Sequence, residues 1–336
     1  MRISNESIVG LYGNYGIAAN VLSILFFQRD YRKSRAECQL YFDERDMSTL
    51  DCRRQPSGFK TRAELTDQSS IVAMRGPIFH GLFMQEKLLT PMTAISFHFE
   101  LADPEFALKS GQIDGAFAFQ LSDIKLNVPK VTVTPALQLQ IERRLSSSPA
   151  CYTYRNIVCR DYIVNNNVTT FKLEDCFAGD FLPDEVYVFM NEMSHSNGRY
   201  DSSVLNFMPN GIQDLYVTVD GLRFPPTKYK ADWDSKNNYL RPYYDLFSAT
   251  SQFTDVGGWI DPQRFATAGF AIFKINLSYP RNECHDALQP KKLASARLIA
   301  EFATPTPAPL RLYILTRPVV TLLIDEQRRV IRDFPL

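Results

Sequence analysis

Asp214–Pro226, DLYVTVDGLRFPP, decides the fold class. Leu215, Val217 and Val219 fall on one side of an extended chain and Tyr216 and Thr218 on the other, the period-two pattern of a half-buried strand. Asp220-Gly221 then interrupts the run before Leu222-Arg223-Phe224 resumes it. Asp-Gly is the pair that a two-residue type I′ turn prefers, because both central residues need positive φ. A β-hairpin is therefore predicted, and the same grammar repeats downstream in IDPQRFATAGFAIFKINLS (260–278), ARLIAEFA (296–303) and RLYILTRPVVTLLIDEQRRVIRD (311–333).

Working outward, strands are predicted near 152–163, 169–173, 184–190, 213–219, 268–277, 294–303, 310–316 and 318–325. Eight antiparallel strands is the number a jelly roll needs. Upstream of Cys151 the inventory is roughly five, near 37–43, 70–76, 93–101, 116–121 and 123–135. In that half Ile95, Phe97, Phe99 and Leu101 alternate with Ser96, His98 and Glu100, and Ile124, Leu126 and Val128 repeat the pattern. Two short helices are expected between strands, at Gly16–Leu25 and Tyr239–Phe247. The small polar run Ser146-Ser147-Ser148-Pro149 marks a boundary, so 1–149 and 150–336 are read as two units, the first short of strands.

Composition fits this class. The chain has 336 residues, 45% of them hydrophobic, and twenty Pro against fifteen Gly suggest rigid loops. Thirty-seven basic residues balance thirty-seven acidic ones, so no overall field draws the chain to nucleic acid or an anionic membrane. The cluster Arg29, Arg32, Lys33 and Arg35 around Tyr31 reads as a solvated turn. The start lacks the apolar core of a signal peptide, and the best apolar run, Ile17–Phe27, is too short to span a bilayer, so the expectation is a protein soluble when made.

The sequence carries no motif of chemistry, so no catalytic residue, cofactor or metal is expected. Cys38, Cys52, Cys151, Cys159, Cys176 and Cys284 form no CxxC pair and read as reduced, partly buried thiols. His80, His98, His195 and His285 share no metal-ligand spacing. Asn5, Asn167 and Asn276 open N-x-Ser/Thr triplets, which chains of this length contain by chance. There is no Walker loop, no GxSxG and no dinucleotide fingerprint. The residues 225–254 form the longest connection, and its aromatics, Trp233, Tyr239, Tyr243, Tyr244 and Phe247, fit a subunit interface and a sugar-stacking platform equally well.

Several phrases resemble those of the double jelly-roll major capsid proteins of Polinton (Maverick) elements and adintoviruses. The resemblance is carried by Ser23–Phe42 and Gly76–Gln85 with Lys87-Leu88-Leu89, by Asp123–Leu126 with Pro129–Leu137, and by Tyr154-Arg155 through Leu182-Pro183 to Val186–Asn191. It continues through Tyr239, Arg241, Tyr243, Leu246 and Phe247, through Ile260, Phe265, Gly269, Phe270, Phe273 and Leu277, and through Leu312–Leu315 with Ile324, Asp325, Arg328 and Val330. Members of that family usually begin with a further segment carrying the first strands of the first jelly roll, whereas this chain starts almost directly before the helix.

The resemblance implies an all-β protein of two tandem jelly-roll sandwiches with short inserted helices, acting as a structural capsid subunit and not as an enzyme. It implies self-association into a pseudo-hexameric homotrimer, then contact with other capsomers and a minor, penton-like capsid protein. Nucleic acid would be met only by enclosure, the place would be the virion capsid, and no membrane span is expected. The subunit contacts would come from Trp233, Tyr239, Tyr243, Tyr244 and Phe247 and from the turn at Ile260 and Phe265, so replacing Tyr243 and Phe247 by Ser is expected to abolish trimers. Two other readings stand beside it: a shortened host-genome relic that is a non-assembling binding module, in an intracellular compartment, and a carbohydrate-binding β-sandwich.

Overall fold

In a computed structural model, residues 2–3, 6–7, 14–27, 29–42, 44, 46–48, 57–110, 115–233, 238–247, 260–277 and 292–332 are described. In chain order the elements are β1 (Arg2–Ile3), β2 (Glu6–Ser7), α1 (Tyr15–Phe26), α2 (Arg29–Arg32), α3 (Gly58–Leu65), β3 (Ile95–Ser96), α4 (Pro104–Ala107) and α5 (Pro135–Ser147). There follow β4 (Ala150–Arg155), β5 (Val158–Val164), β6 (Thr170–Leu173), β7 (Glu185–Glu192), α6 (Met193–Ser196), β8 (Ile212–Val219), β9 (Leu222–Phe224), α7 (Leu240–Phe247) and α8 (Pro262–Thr267). The chain closes with β10 (Ile272–Asn276), β11 (Ala296–Phe302), β12 (Leu310–Thr316), β13 (Val319–Ile324) and β14 (Val330–Arg332).

The fold is an all-β sandwich of antiparallel sheets with short helices. One four-stranded sheet has the order β10-β7-β12-β5 and the other β6-β11-β8-β9. Numbering the strands from β5 to β12 as the first to the eighth, the sheets contain strands one, eight, three, six and two, seven, four, five, which is the jelly-roll order. Leu215, Val217, Leu298 and Ala300 face inward from one sheet, and Val186, Val188, Leu312 and Ile314 from the other. The Asp220-Gly221 turn has φ of 49° and 85°, as a type I′ turn demands.

The sheet β10-β7-β12-β5 is covered on both faces. Tyr187, Phe189, Tyr313 and Leu315 point away from the sandwich interior, yet each is 0% exposed. Part of their cover is α1, YGIAANVLSILF, a helix without a charged residue that buries Ile17, Ala18, Val21, Leu22 and Ile24. Phe26 meets the Tyr187 ring edge-on at 6.1 Å, and Phe207 packs on Phe189 at 4.6 Å. Double coverage explains why β7, EVYVFMNE, is apolar on consecutive positions and does not alternate.

Two strands leave the sandwich through a shared bend. The run expected at 152–163 is two strands, β4 and β5, broken at Asn156-Ile157, and β12 and β13 break at Arg317-Pro318 on the same level. The Asn156 N–H donates to the Pro318 carbonyl at 2.8 Å across the bend. Beyond it β4, β13 and β14 form a three-stranded sheet in the order β14-β13-β4. This sheet has its own small core of Tyr152, Tyr154, Val320, Leu322, Ile324 and Val330, closed by Leu82.

Upstream of β4 the outcome departs from the strand-by-strand expectation. Of the five strands predicted there, Ile95–Ser96 is the one that pairs among the described residues, as β3 against β1 in a short sheet of order β2-β1-β3. Residues 37–39 form a 3₁₀ turn, and 70–76, 116–121 and 123–134 carry no paired strand among the described residues. The alternation of Ile95 to Leu101 does not bury a face, since Phe99 is 59% and Leu101 56% exposed. The polar run at 146–149 is in part the last turn of α5, whose start the sequence marks with Thr134 as N-cap and Pro135 in the first turn.

Candidate interface surface

The seven aromatic and aliphatic residues expected at a subunit interface fall into two groups. Trp233 stacks on Tyr239 at 5.9 Å and packs against Phe265 at 5.7 Å and Phe273 at 5.9 Å, while its indole Nε1–H donates to the Ile212 carbonyl at 2.6 Å. Tyr243 meets Phe247 at 5.4 Å and Phe265 at 5.7 Å, and its hydroxyl donates to the Ile260 carbonyl at 2.8 Å. Ile260 and Phe265 are fully buried, and Trp233, Tyr239, Tyr243 and Phe247 pack partly buried against the main core. Six of the seven thus build one aromatic cluster inside this chain, over the inner face of β10. Tyr244 alone points outward, at 65% exposure.

Local sequence explains this geometry. α8 is set by Asp261, whose side chain accepts from the Arg264 N–H at 2.7 Å, with Pro262 in the first turn. That cap turns Phe265 inward onto Phe273 at 5.8 Å. Burial pushes the Tyr243 phenol up, with the Asp261 carboxylate adding to it. Only Trp233 and Tyr239 stack face to face among the ring contacts of this cluster, the others being tilted or edge-on.

Beside this cluster the loop after β9 is anchored by charge. Asp214, 2% exposed, accepts from Arg223 at 2.7 Å and 2.9 Å and from the Tyr229 N–H at 3.1 Å. Arg223 also lies 3.6 Å from the centre of the Tyr216 ring, and Lys228 reaches Glu301 at 2.9 Å. The outer face of β8 and β11 is therefore internally ion-paired, with Asp214 buried beneath the loop it anchors.

Under α1 lies a second charged group that sequence reading missed. Lys274 is 1% exposed, and its ammonium is 2.8 Å from Glu185, which also accepts from the Tyr187 hydroxyl at 2.8 Å. Burial pushes the Glu185 carboxyl up, but the Lys274 charge and hydrogen bonds from Lys274 and Tyr187, with the Arg317 charge, outweigh it and hold it below the usual range. Burial also drives the Tyr187 phenol well up. Read as a half-buried strand, β10 puts Lys274 in water; only the cover on both faces of the sheet reveals otherwise.

The surface with most to gain from a partner lies in the first half. Ile124, Leu126, Val128 and Val131 are 53–70% exposed, and Leu137 and Leu139 at the start of α5 are 45% and 53% exposed. Among the described residues, 121–133 enter no strand pair. α5 is fixed to the body at its other end, by buried Leu145 and by Glu142, which Arg328 reaches at 2.6 Å. The signal for this arm was the alternation at 124–128. Among the described residues no group of His, Cys, Asp and Glu is placed to hold a metal, and no helix is long and apolar enough to cross a membrane.

No protein-family model matches the chain, and none of the curated proteins does. Similar solved structures include a chain of the Sputnik virophage, 14% identical, covering 55% of this chain and 39% of that one at a TM-score of 0.33. The mavirus major capsid protein is 12% identical over 56% of this chain and 42% of its own, at 0.30. The major capsid protein P2 of bacteriophage PM2 is 11% identical over 50% and 45%, at 0.24. The chain thus spans less than half the length of each.

Proposed function

We propose that this chain is a structural subunit of a virus-like shell, of the double jelly-roll type that its sequence resembles. The observation that carries the reading is an outward-facing apolar arm, residues 124–139, attached to an intact eight-stranded jelly roll. Exposed aliphatic side chains in unpaired backbone gain free energy when another polypeptide covers them, at roughly 25 cal/mol per Å² of apolar surface removed from water. Unpaired strand-forming backbone adds hydrogen bonds to that gain. In this reading three copies associate as a pseudo-hexameric trimer, trimers join further capsomers and a minor capsid protein, and DNA is met only by enclosure within a virion. Residues 1–149 would be the first jelly-roll unit and 150–336 the second.

The aromatic loop has a packing part within the chain beside the contact part expected of it. Ile260 and Phe265 support the sandwich from within, Trp233, Tyr239, Tyr243 and Phe247 pack partly buried against it, and Tyr244 is the most exposed of the seven toward a neighbour. Replacing Tyr243 and Phe247 by Ser would therefore report on folding before it reports on assembly.

Native mass spectrometry and negative-stain electron microscopy of the purified full chain test the proposal. Trimers or shells are expected from the wild type, and monomers with an unchanged far-ultraviolet spectrum from a Leu126→Asp, Val128→Asp variant. A wild-type chain that stays monomeric at assembly concentrations, or a variant that assembles unchanged, refutes it.

A further inference from the structure

We propose that residues 97–101 of one copy pair antiparallel with residues 124–128 of a second copy, forming a two-stranded ribbon between chains. The inference rests on the self-association proposed above and names what covers the apolar arm. Residues 97–101 run on from β3, whose pairing with β1 ends at Ser96, and residues 124–128 enter no strand pair. Phe99, Leu101, Ile124, Leu126 and Val128 each keep more than half of their accessible surface in water, so the two segments do not cover each other within the chain. Phe97 and Phe99 stack at 5.9 Å with planes 9° apart, and Phe83 tilts against Phe97 at 5.8 Å, which makes the first segment an aromatic row.

One register satisfies both segments. Pairing Phe97 with Val128, Phe99 with Leu126 and Leu101 with Ile124 sets three apolar pairs on one face of the ribbon. The other face then sets His98 against Asn127 and Glu100 against Lys125, a pair of opposite charges. A slip of two residues one way brings Glu100 against Asp123, and a slip the other way brings Lys130 against Phe97. Parallel pairing of the same segments sets Lys125 against His98 and leaves Glu100 against Asn127. Pro129, which has no N–H to give to a ladder, falls opposite Ser96, where β1 already pairs with β3.

Charge and backbone thus select one partner chemistry, a second copy of this chain. Lys125 holds Asp123 at 2.7 Å, but both side chains lie largely in water, where such a contact contributes little and a cross-strand carboxylate can replace it. Adding a strand to an exposed edge supplies the main-chain hydrogen bonds that both segments lack, and alternate side chains then fix the register. Each copy gives one segment and receives the other. The contact is therefore heterologous and closes a ring in the proposed trimer.

Sedimentation velocity and native mass spectrometry of the full chain at low ionic strength read the pairing through charge. Glu100→Lys and Lys125→Glu each set like charges against each other and are expected to weaken self-association about fivefold per contact. Both positions are exposed, and an unchanged far-ultraviolet spectrum checks that the variants fold. The double variant Glu100→Lys, Lys125→Glu is expected to recover association. An equimolar mixture of the two single variants is expected to form mixed species at concentrations where neither associates alone, because every contact between unlike copies again sets a lysine against a glutamate. Single variants that associate as tightly as the wild type, or a double variant as weak as either single, overturn the ribbon. So does a mixture that recovers nothing while the double variant does, which places the pairing inside one chain. The shell reading survives those results, whereas a wild type that stays monomeric overturns both.

Discussion

Glu185→Gln should be among the most damaging single-atom-scale changes available in this protein. Its carboxylate sits 2.8 Å from Lys274, whose side chain is 0% exposed, and Gln keeps the volume while removing the charge. The ammonium then remains buried under an uncharged helix, in the company of the Arg317 guanidinium that lies 4.3 Å from the Phe26 ring. Removing one partner of a buried ion pair costs about 3–5 kcal/mol, because the desolvation of the survivor loses the opposite charge that offsets it. Lys274→Met should cost less, since Glu185 retains 19% exposure and the Tyr187 hydroxyl. The double variant should recover most of the Glu185→Gln loss, because it leaves no ammonium buried without its carboxylate and the glutamine amide oxygen can still accept from the Tyr187 hydroxyl.

Urea or guanidinium unfolding of the four proteins completes the cycle, with coupling read from the non-additivity. The pH dependence supplies a second check. The folded Glu185 carboxyl is held below its unfolded value, so its contribution is fully present above the unfolded glutamate range and lost as pH falls through the lower folded value. Glu185→Gln should remove that acid limb. A single variant costing less than about 1 kcal/mol, or a double variant whose loss equals the sum of the singles, would refute the placement of this pair under α1.

Other outcomes follow from local geometry. Gly81→Ala puts a methyl 1.9 Å from the Arg155 carbonyl, so it should detach residues 79–84 and lower stability by at least the 1–3 kcal/mol of an overpacked core, measured by unfolding and by exchange at those amides. Trp233→Phe removes the donor to the Ile212 carbonyl and should cost about 1–3 kcal/mol, since that acceptor loses its partner in a partly buried site; a thermal melt checks it. Burial pushes the Cys159 and Cys176 thiols up to about 12. Both should resist iodoacetamide in the native protein and label after denaturation, while exposed Cys38 and Cys151 label at once, as peptide mass spectrometry would record.

The second half of the fold was legible because each strand there carries its own evidence: alternation in β8, a turn pair at Asp220-Gly221, dense apolar runs in β7 and β12. The first half was less so, for a physical reason. Alternation at Ile124, Leu126 and Val128 states that one face wants burial but does not supply the strand that buries it, and strands form only as pairs. α5 was hidden by reading Ser146–Pro149 as a linker, although Thr134-Pro135 is an N-terminal helix signature. Among the candidate contact residues, aromatic bulk in a loop could not tell inward from outward. Asp261-Pro262 caps a short helix that aims Phe265 at the core, and that directional signal was present in the sequence.

The shared bend at Asn156 and Pro318 has a consequence for how errors are corrected during folding. Because β4 runs into β5 and β12 into β13, with the two bends bonded to each other, the registers of the large and small cores are not independent. A one-residue slip of β12 against β5 would turn Leu312 and Ile314 out of the sandwich and, carried through Pro318, would swing Val320, Leu322 and Ile324 off their sheet as well. Each misalignment is thus rejected by two separate sets of apolar contacts. The bend works as a proofreading splice, coupling the accuracy of one core to the other through chain continuity and the Asn156–Pro318 hydrogen bond.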